Sequence, residues 1–305
     1  MFERNRPITG PAFMRIKPLI ILMRPHQYVK NSFVMIGPIF GHYWTAPAIL
    51  DAALIFVSFC FVASSVYIFN DLIDIDSDAS HPIKKKRPLP SGEVSTGLAK
   101  LVMILLLASS LSLTSIVSYY VLFFVALYVF INVLYSLCLK NIVILDVFII
   151  SIGFMLRILS GTVGLNIPPS AWLLLCGFMV TLFLGFAKRK AELQMTVATK
   201  KSKENHFRKV LNDYNGKMVD QFLAITAACT IICYGLYTVS DQTIQIHGTS
   251  NLIYSLPFVV YGVFRYFFLL ENREKGDDAA KDLIADPHLV ITILIWLFIV
   301  IWMIR

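Results

Sequence analysis

Nine apolar runs, each close to the roughly twenty residues an α-helix needs to cross a bilayer, dictate what this chain can fold into. They fall near residues 28–46, 49–70, 98–117, 119–139, 142–162, 170–187, 218–239, 251–270 and 287–304. In hydrocarbon every backbone N–H and C=O must be satisfied within the protein, so runs of this length read as helices. The expected class is therefore all-α and integral to the membrane, a nine-helix bundle. One polytopic domain over residues 1–305 is expected, with a basic lead at 1–18 and two polar loops at 71–97 and 188–217. The third and fourth runs nearly touch, which requires a tight turn at Ser118.

Charge alternates along this framework. The loops after the first, third, fifth and seventh runs (GHYWTAPA, SIVSYY, GLNIPPSA and SDQTIQIHGTSN) hold no lysine or arginine. Essentially all the basic residues sit in the other loops, the lead and the adjoining helix ends. The positive-inside rule then puts the N-terminus in the cytoplasm and the C-terminus outside, in a multi-pass inner-membrane protein. The net charge of +8 is loop charge of this kind and does not point to nucleic acid. Residues 1–18 carry Arg4, Arg6, Arg15 and Lys17 but no apolar core, so no signal peptide is expected there. Cys60, Cys138, Cys176, Cys229 and Cys233 all lie within apolar runs and read as small core residues.

The chemistry concentrates where the second run ends, in Asn70–Gly92: NDLIDIDSDASHPIKKKRPLPSG. Asp71, Asp74, Asp76 and Asp78 place four carboxylates in eight residues, and Lys84, Lys85, Lys86 and Arg87 follow. If the helix continues to Ser77, Asp71, Asp74 and Asp78 fall within roughly 60° of one another, with Asn70 at the rim and Asp76 turned to solvent. Carboxylates on one face repel unless a cation sits among them. Mg²⁺ takes oxygen ligands of this kind together with substrate phosphates, and neighbouring cations hold the remaining phosphate charge. Lys30 in the first run, and Tyr135 and Lys140 closing the fourth, lie at the same membrane level; Lys140 also fits a plain interfacial anchor.

Further charges lie deeper. Asp146 and Arg157 share a face of the fifth run but, three turns apart, cannot touch through that helix; they are functional, or each is paired with another helix. After the sixth run come Lys188, Arg189, Lys190 and Glu192, with Arg208 and Lys209 further on. Lys188 and Glu192 fit an i,i+4 ion pair; set against the Asn70–Gly92 loop, the same run fits a second cationic wall. Asp278, Asp282 and Asp286 fit either a second metal motif or a solvated helix.

NDLIDIDSD resembles the NDxxDxxxD motif of the UbiA-type intramembrane prenyltransferases, and RPLPSG resembles the segment that follows it there. Within that superfamily the chain is similar to the decaprenyl-phosphate phosphoribosyltransferase branch. RPHQYVKN resembles that branch's opening, and HPIKKKRP matches its HPxKxxRP, which selects Lys84 and Arg87. NVLYSLCLK and LRILSG resemble its fourth- and fifth-helix signatures, and AKRKAEL resembles its GKRYAEL. Ordinary members carry a second aspartate motif after the sixth helix, where this chain has KRKAEL instead.

The resemblance implies phosphoribosyl diphosphate as donor and a polyprenyl phosphate drawn from the bilayer as acceptor. Asn70, Asp71, Asp74 and Asp78 would hold Mg²⁺, with Asp71 and Asp74 central to turnover. Lys30, Lys84, Arg87, Tyr135 and Lys140 would bind the donor. Lys188, Arg189, Glu192 and Arg208 would form the wall toward the lipid phosphate. Two alternatives stay open: prenyl transfer to an aromatic acid such as 4-hydroxybenzoate, and a transporter using the intramembrane charges. The oligomeric state, a homo-oligomer included, is also open.

Overall fold

The computed structural model describes residues 16–80, 84–199, 209–272 and 285–304. In chain order the α-helices are α1 (Ile16–Met23), α2 (Ile36–Phe40), α3 (Ala46–Ile73), α4 (Ile75–Ser80), α5 (Thr96–Val117), α6 (Tyr119–Leu137), α7 (Leu145–Gly161), α8 (Ala171–Thr199), α9 (Gly216–Val239), α10 (Asp241–His247), α11 (Leu256–Asn272) and α12 (Pro287–Ile304). Among the described residues, 8 helical segments are long and apolar enough to cross a membrane: α3, α5 to α9, α11 with the 3-10 turn before it, and α12.

The expected first run is the exception. Arg24 takes a left-handed backbone (φ 56°) and ends α1 ahead of Pro25. A 3-10 helix then covers Pro25–Met35 and passes into the short α2. A 3-10 helix rises about 2 Å per residue against 1.5 Å in an α-helix, so this segment still reaches roughly 30 Å. Its ends lie at opposite ends of the bundle: Arg24 ion-pairs with Asp71 near the end of α3, and Phe40 packs on Tyr237 near the end of α9. The segment runs the length of the bundle without being one of the eight helices long enough to cross a membrane by themselves. Its close fit explains the shape: a Cβ on Gly37 would stand 1.7 Å from the Gly161 carbonyl oxygen, and one on Gly161 would stand 1.9 Å from that of Val34. The backbones touch, which only glycine permits.

Helices α3 and α7 form the centre of the bundle, each with most of its apolar window buried. Lipid is as apolar as leucine, so polar contacts and close packing hold such helices together. Ser58 and Ser110 supply one clasp between α3 and α5, with hydroxyls 2.8 Å apart, and Ser65 donates to the Met103 carbonyl at 3.0 Å. The turn between α5 and α6 is Ser118 alone, extended in backbone, its hydroxyl accepting from the Tyr120 amide at 3.2 Å. Helix α8 runs on past its expected end at residue 187, carrying the Lys188–Glu192 segment as helix.

Candidate active site

The end of α3 builds the carboxylate cluster. Its last turn presents Asn70 and Asp71, the helix bends at Asp74, and α4 begins one residue later. The Asp74 amide donates to the Asn70 carbonyl and its carbonyl accepts from the Asp78 amide, at 3.0 and 2.7 Å, so the bend keeps nearly helical spacing. Asp71 and Asp78 are buried, Asp74 is partly open and Asp76 faces outward, as the spacing predicts.

Each carboxylate on the inner face has a cation. Arg87 Nη1 donates to Asp78 Oδ2 at 2.6 Å and to Asp71 Oδ1 at 3.1 Å. Arg24 Nη2 donates to the same Asp71 oxygen at 2.5 Å, with its guanidinium 5.1 Å from the centre of the Tyr67 ring. Lys84 Nζ lies 3.6 Å from Asp78, and Lys140 Nζ donates to Asp74 at 2.8 Å. The Ser136 hydroxyl on α6 hydrogen-bonds the Asn70 side-chain oxygen. Four cations thus surround three carboxylates, and the side chains of Lys84 and Arg87 remain about one-third exposed (36% and 32%). Lys30 and Tyr135 are half-buried.

The donor set is hard oxygen throughout, which suits Mg²⁺ rather than a softer metal. One guanidinium nitrogen already bridges Asp71 and Asp78, so these two carboxylates converge on a point a cation occupies. Asp74 turns instead to Lys140. Among the described residues no three acidic, histidine or cysteine side chains converge as a ready metal site. For Asp71, Asp74 and Asp78 to hold a metal together, Arg87 would have to leave its place between two of them and Asp74 would have to part from Lys140.

The second basic segment departs from a single wall. Lys188, Arg189 and Lys190 are successive helical residues and diverge by about 100° each. Lys188 is half-buried. Arg189 is fully buried, its Nε 2.9 Å from Asp146 Oδ2, and it also pairs with Glu192. Lys190 reaches Asp220 at 2.8 Å on α9 and Glu271 on α11. Arg189 and Glu192, expected on the wall toward a lipid phosphate, are thus paired inside the fold, where the Arg189 charge compensates the buried Asp146 carboxylate. Tyr214 donates to the other Asp146 oxygen at 2.7 Å and accepts from the Ile144 amide at 2.8 Å. Burial, then the hydrogen bond to Asp146, pushes the Tyr214 phenol well above its ordinary range. Arg208 lies outside the described residues, as do Asp278 and Asp282.

Asp146 and Arg157 do not pair with each other, as their spacing predicts. Arg157 lies under three aromatic rings, those of Phe59, Tyr128 and Phe154, with centroids 4.7–5.5 Å away. It donates to Asn31 Oδ1, to the Gly153 carbonyl and to the Tyr128 hydroxyl at 2.8, 2.7 and 3.2 Å. Asp286 is not the solvated residue that its loop suggests. It is fully buried, takes both Arg265 Nε and Nη2 (3.2 and 2.9 Å) and accepts from the Leu289 amide at the start of α12. The Arg265 bond, foremost, pulls its carboxyl down to about 2.

Sequence reasoning passed over Arg24, Ser136, Tyr214 and the partners of Arg157. Arg24 carried one signal: it opens RPHQYVKN, the segment that resembles the start of the phosphoribosyltransferase branch. The others meet their partners only in three dimensions.

A polytopic helical bundle whose central helix delivers an Asn–Asp cluster into a ring of cations has the charge pattern that a metal and phosphate groups require. The UbiA prenyltransferase family model matches residues 32–285, and the chain belongs to that family. Over 97% of its length it is 30% identical to the decaprenyl-phosphate phosphoribosyltransferase of Mycolicibacterium smegmatis, 95% of which is covered. It is also 30% identical to the protein of that name from Corynebacterium glutamicum, over 93% of this chain and 85% of that one. The fold superposes on a UbiA homolog from Archaeoglobus fulgidus bound to GPP and Mg²⁺, with TM-score 0.69 and 21% identity, covering 93% of this chain and 99% of that one.

Proposed function

We propose that the protein transfers a 5-phosphoribosyl group from phosphoribosyl diphosphate to a polyprenyl phosphate, giving a polyprenylphosphoryl-5-phosphoribose and diphosphate. The observation that carries this reading is the aspartate cluster at the end of α3, ringed by Arg24, Lys84, Arg87 and Lys140, while Lys188–Leu193 holds no aspartate. One metal–diphosphate and a surplus of cations suit a donor richer in phosphate than a prenyl diphosphate. The names of the two bacterial relatives agree with it.

Asn70, Asp71, Asp74 and Asp78 would hold Mg²⁺, which neutralises a diphosphate leaving group when bound. Lys84, Arg87 and Lys140, released from their carboxylates, turn to the diphosphate oxygens, and Lys30 and Tyr135 complete the donor's surroundings. A lipid-phosphate oxygen attacks ribose C1 while the bond from C1 to the diphosphate oxygen breaks. The acceptor is already an anion at neutral pH, so no proton need be removed. Positioning and charge stabilisation supply the catalysis. Lys188, on the far wall, faces the lipid phosphate while the tail lies in the bilayer. In this reading the site opens to the cytoplasm, where soluble phosphorylated sugars are available, and the protein is a multi-pass inner-membrane enzyme with its N-terminus inside.

The test is transfer of label from phosphoribosyl diphosphate to lipid, by purified protein with Mg²⁺ and a polyprenyl phosphate. Labelled lipid that disappears with EDTA is expected. No labelled lipid, together with efficient prenylation of 4-hydroxybenzoate from a prenyl diphosphate, reverses the reading.

A further inference from the structure

A strained turn lies between the two charge clusters. Helix α6 ends at Leu137 and α7 begins at Leu145. The connection carries Lys140, whose ammonium donates to Asp74 at 2.8 Å. It closes on Ile144, at φ 68° and ψ −48°, where the Leu145 amide donates to the Val143 carbonyl at 2.8 Å. This is a γ-turn of the rare, strained hand. A positive φ is unfavourable for any side chain with a Cβ, and most of all for a β-branched one. Ile144 stays there only if its surroundings hold it.

Tyr214 holds it. The phenol oxygen accepts from the Ile144 amide at 2.8 Å and donates to Asp146 Oδ1 at 2.7 Å. The ring is buried in the core cluster that includes Val147, Phe186 and Val219, so the hydroxyl is a fixed post. Asp146 Oδ2 in turn faces Arg189 Nε at 2.9 Å. One line of contacts and short chain therefore starts at Arg189 on α8. It passes through Asp146, Tyr214 and Ile144, follows the connection back to Lys140, and ends on Asp74.

We propose that Tyr214 is a positioning residue for the donor diphosphate: by pinning the Ile144 turn, it sets where Lys140 stands beside the aspartates. The proposal rests on the reading of Lys140 as a diphosphate ligand and extends it. A lysine is a point charge on a flexible stem, so its placement depends on the backbone that carries it. Here that backbone is a single 3-10 turn, Leu139–Asn141, with little order of its own. Without the Tyr214 hydroxyl, Ile144 relaxes toward negative φ and re-aims the residues before it. A ligand-binding group displaced in this way loses much of its value. The water-excluded cluster around Asp146 thus fixes the one cation of the open cluster that comes from the connection between α6 and α7.

The experiment measures binding of diphosphate with Mg²⁺ to the detergent-solubilised full chain, and hydrogen exchange of the peptide covering residues 139–146. Tyr214→Phe keeps the ring, and Arg189 still compensates Asp146. This variant is expected to lose protection in that peptide and to weaken Mg²⁺–diphosphate about fivefold. Lys140→Met is expected to weaken the probe about tenfold, and adding Tyr214→Phe to it changes affinity by no more than about twofold, because the two residues act as one. Ile144→Gly, at home at positive φ, restores most of the affinity lost in Tyr214→Phe. Ile144→Pro forbids the turn and deletes the amide without touching Tyr214, so it reproduces the loss even if Tyr214→Phe fails to fold. The proposal is overturned if Ile144→Pro binds like wild type, if Ile144→Gly restores nothing, or if the losses from Tyr214→Phe and Lys140→Met multiply. Lys140→Met that binds like wild type removes Lys140 from the diphosphate and the proposal with it. Diphosphate is common to phosphoribosyl and prenyl donors, so the expected affinities in a protein that transfers no phosphoribosyl group sink that reading alone and leave Tyr214 in its role.

Discussion

Two acid–base clusters sit near the same end of the bundle and behave differently. Around Asp71, Asp74 and Asp78, cations outnumber carboxylates, and each of the four cations keeps more than a fifth of its side chain exposed. Around Asp146, the partners Arg189 and Tyr214 are buried and Glu192 nearly so. Lys140 and Asp146 are separated by six residues of chain, so the clusters lie within about 20 Å. Water makes the difference. In the open cluster a broken ion pair is rehydrated, so pairs there exchange cheaply and the cations can transfer to a ligand. In the closed cluster a broken pair strands a charge, so those pairs hold α7, α8 and the 209–215 segment together.

The contrast can be broken in four ways. Arg189→Met should be the most damaging change to the fold, costing about 3–5 kcal/mol through the stranded Asp146, and thermal unfolding in detergent measures it. A small shift in Tm would erase the distinction between the clusters. Asp74→Asn should lower transfer by about 10²–10³-fold while Tm stays near wild type, since Asp74 is the most open of the three. Steady-state kinetics with varied Mg²⁺ reads this, and a lost fold instead of lost turnover would contradict it. Lys188→Ala should raise KM for the lipid phosphate about tenfold with the donor KM little changed; equal loss for both substrates removes Lys188 from the acceptor side. The smallest effect is expected at Arg265–Asp286. Because the folded carboxyl is held at about 2, below the ordinary 3.8, its contribution is complete above about pH 4 and fades as pH falls toward 2. An acid unfolding series should show that loss in wild type and not in Asp286→Asn.

Much of the fold was readable because the bilayer admits few solutions. Apolar length identified the eight long helices, and the near contact of two runs marked a tight turn at Ser118. The expected first run at 28–46 is instead a 3-10 helix over Pro25–Met35 followed by the short α2. Pro25 and the backbone contact with Gly161 favour a 3-10 path that no hydropathy pattern reveals. Asp71, Asp74, Asp78 and Arg87 were legible because they lie within seventeen residues on local helical spacing. That Arg24 pairs with Asp71 and Lys140 with Asp74 was not legible, the partners being 47 and 66 residues apart in the chain.

Residue order alone determined that the chain crosses a membrane repeatedly and that its acidic and basic groups gather at the end of α3, because hydropathy and helical spacing are local properties. Which cation holds which carboxylate was decided by tertiary structure alone. KRK at 188–190 reads as one basic patch, yet its arginine is spent on Asp146 and its last lysine on Asp220 and Glu271. The physical reason is that a charge is valued by its surroundings. Burial turns an identical side chain from an exchangeable ligand into a structural tie, and burial exists only once the helices have packed.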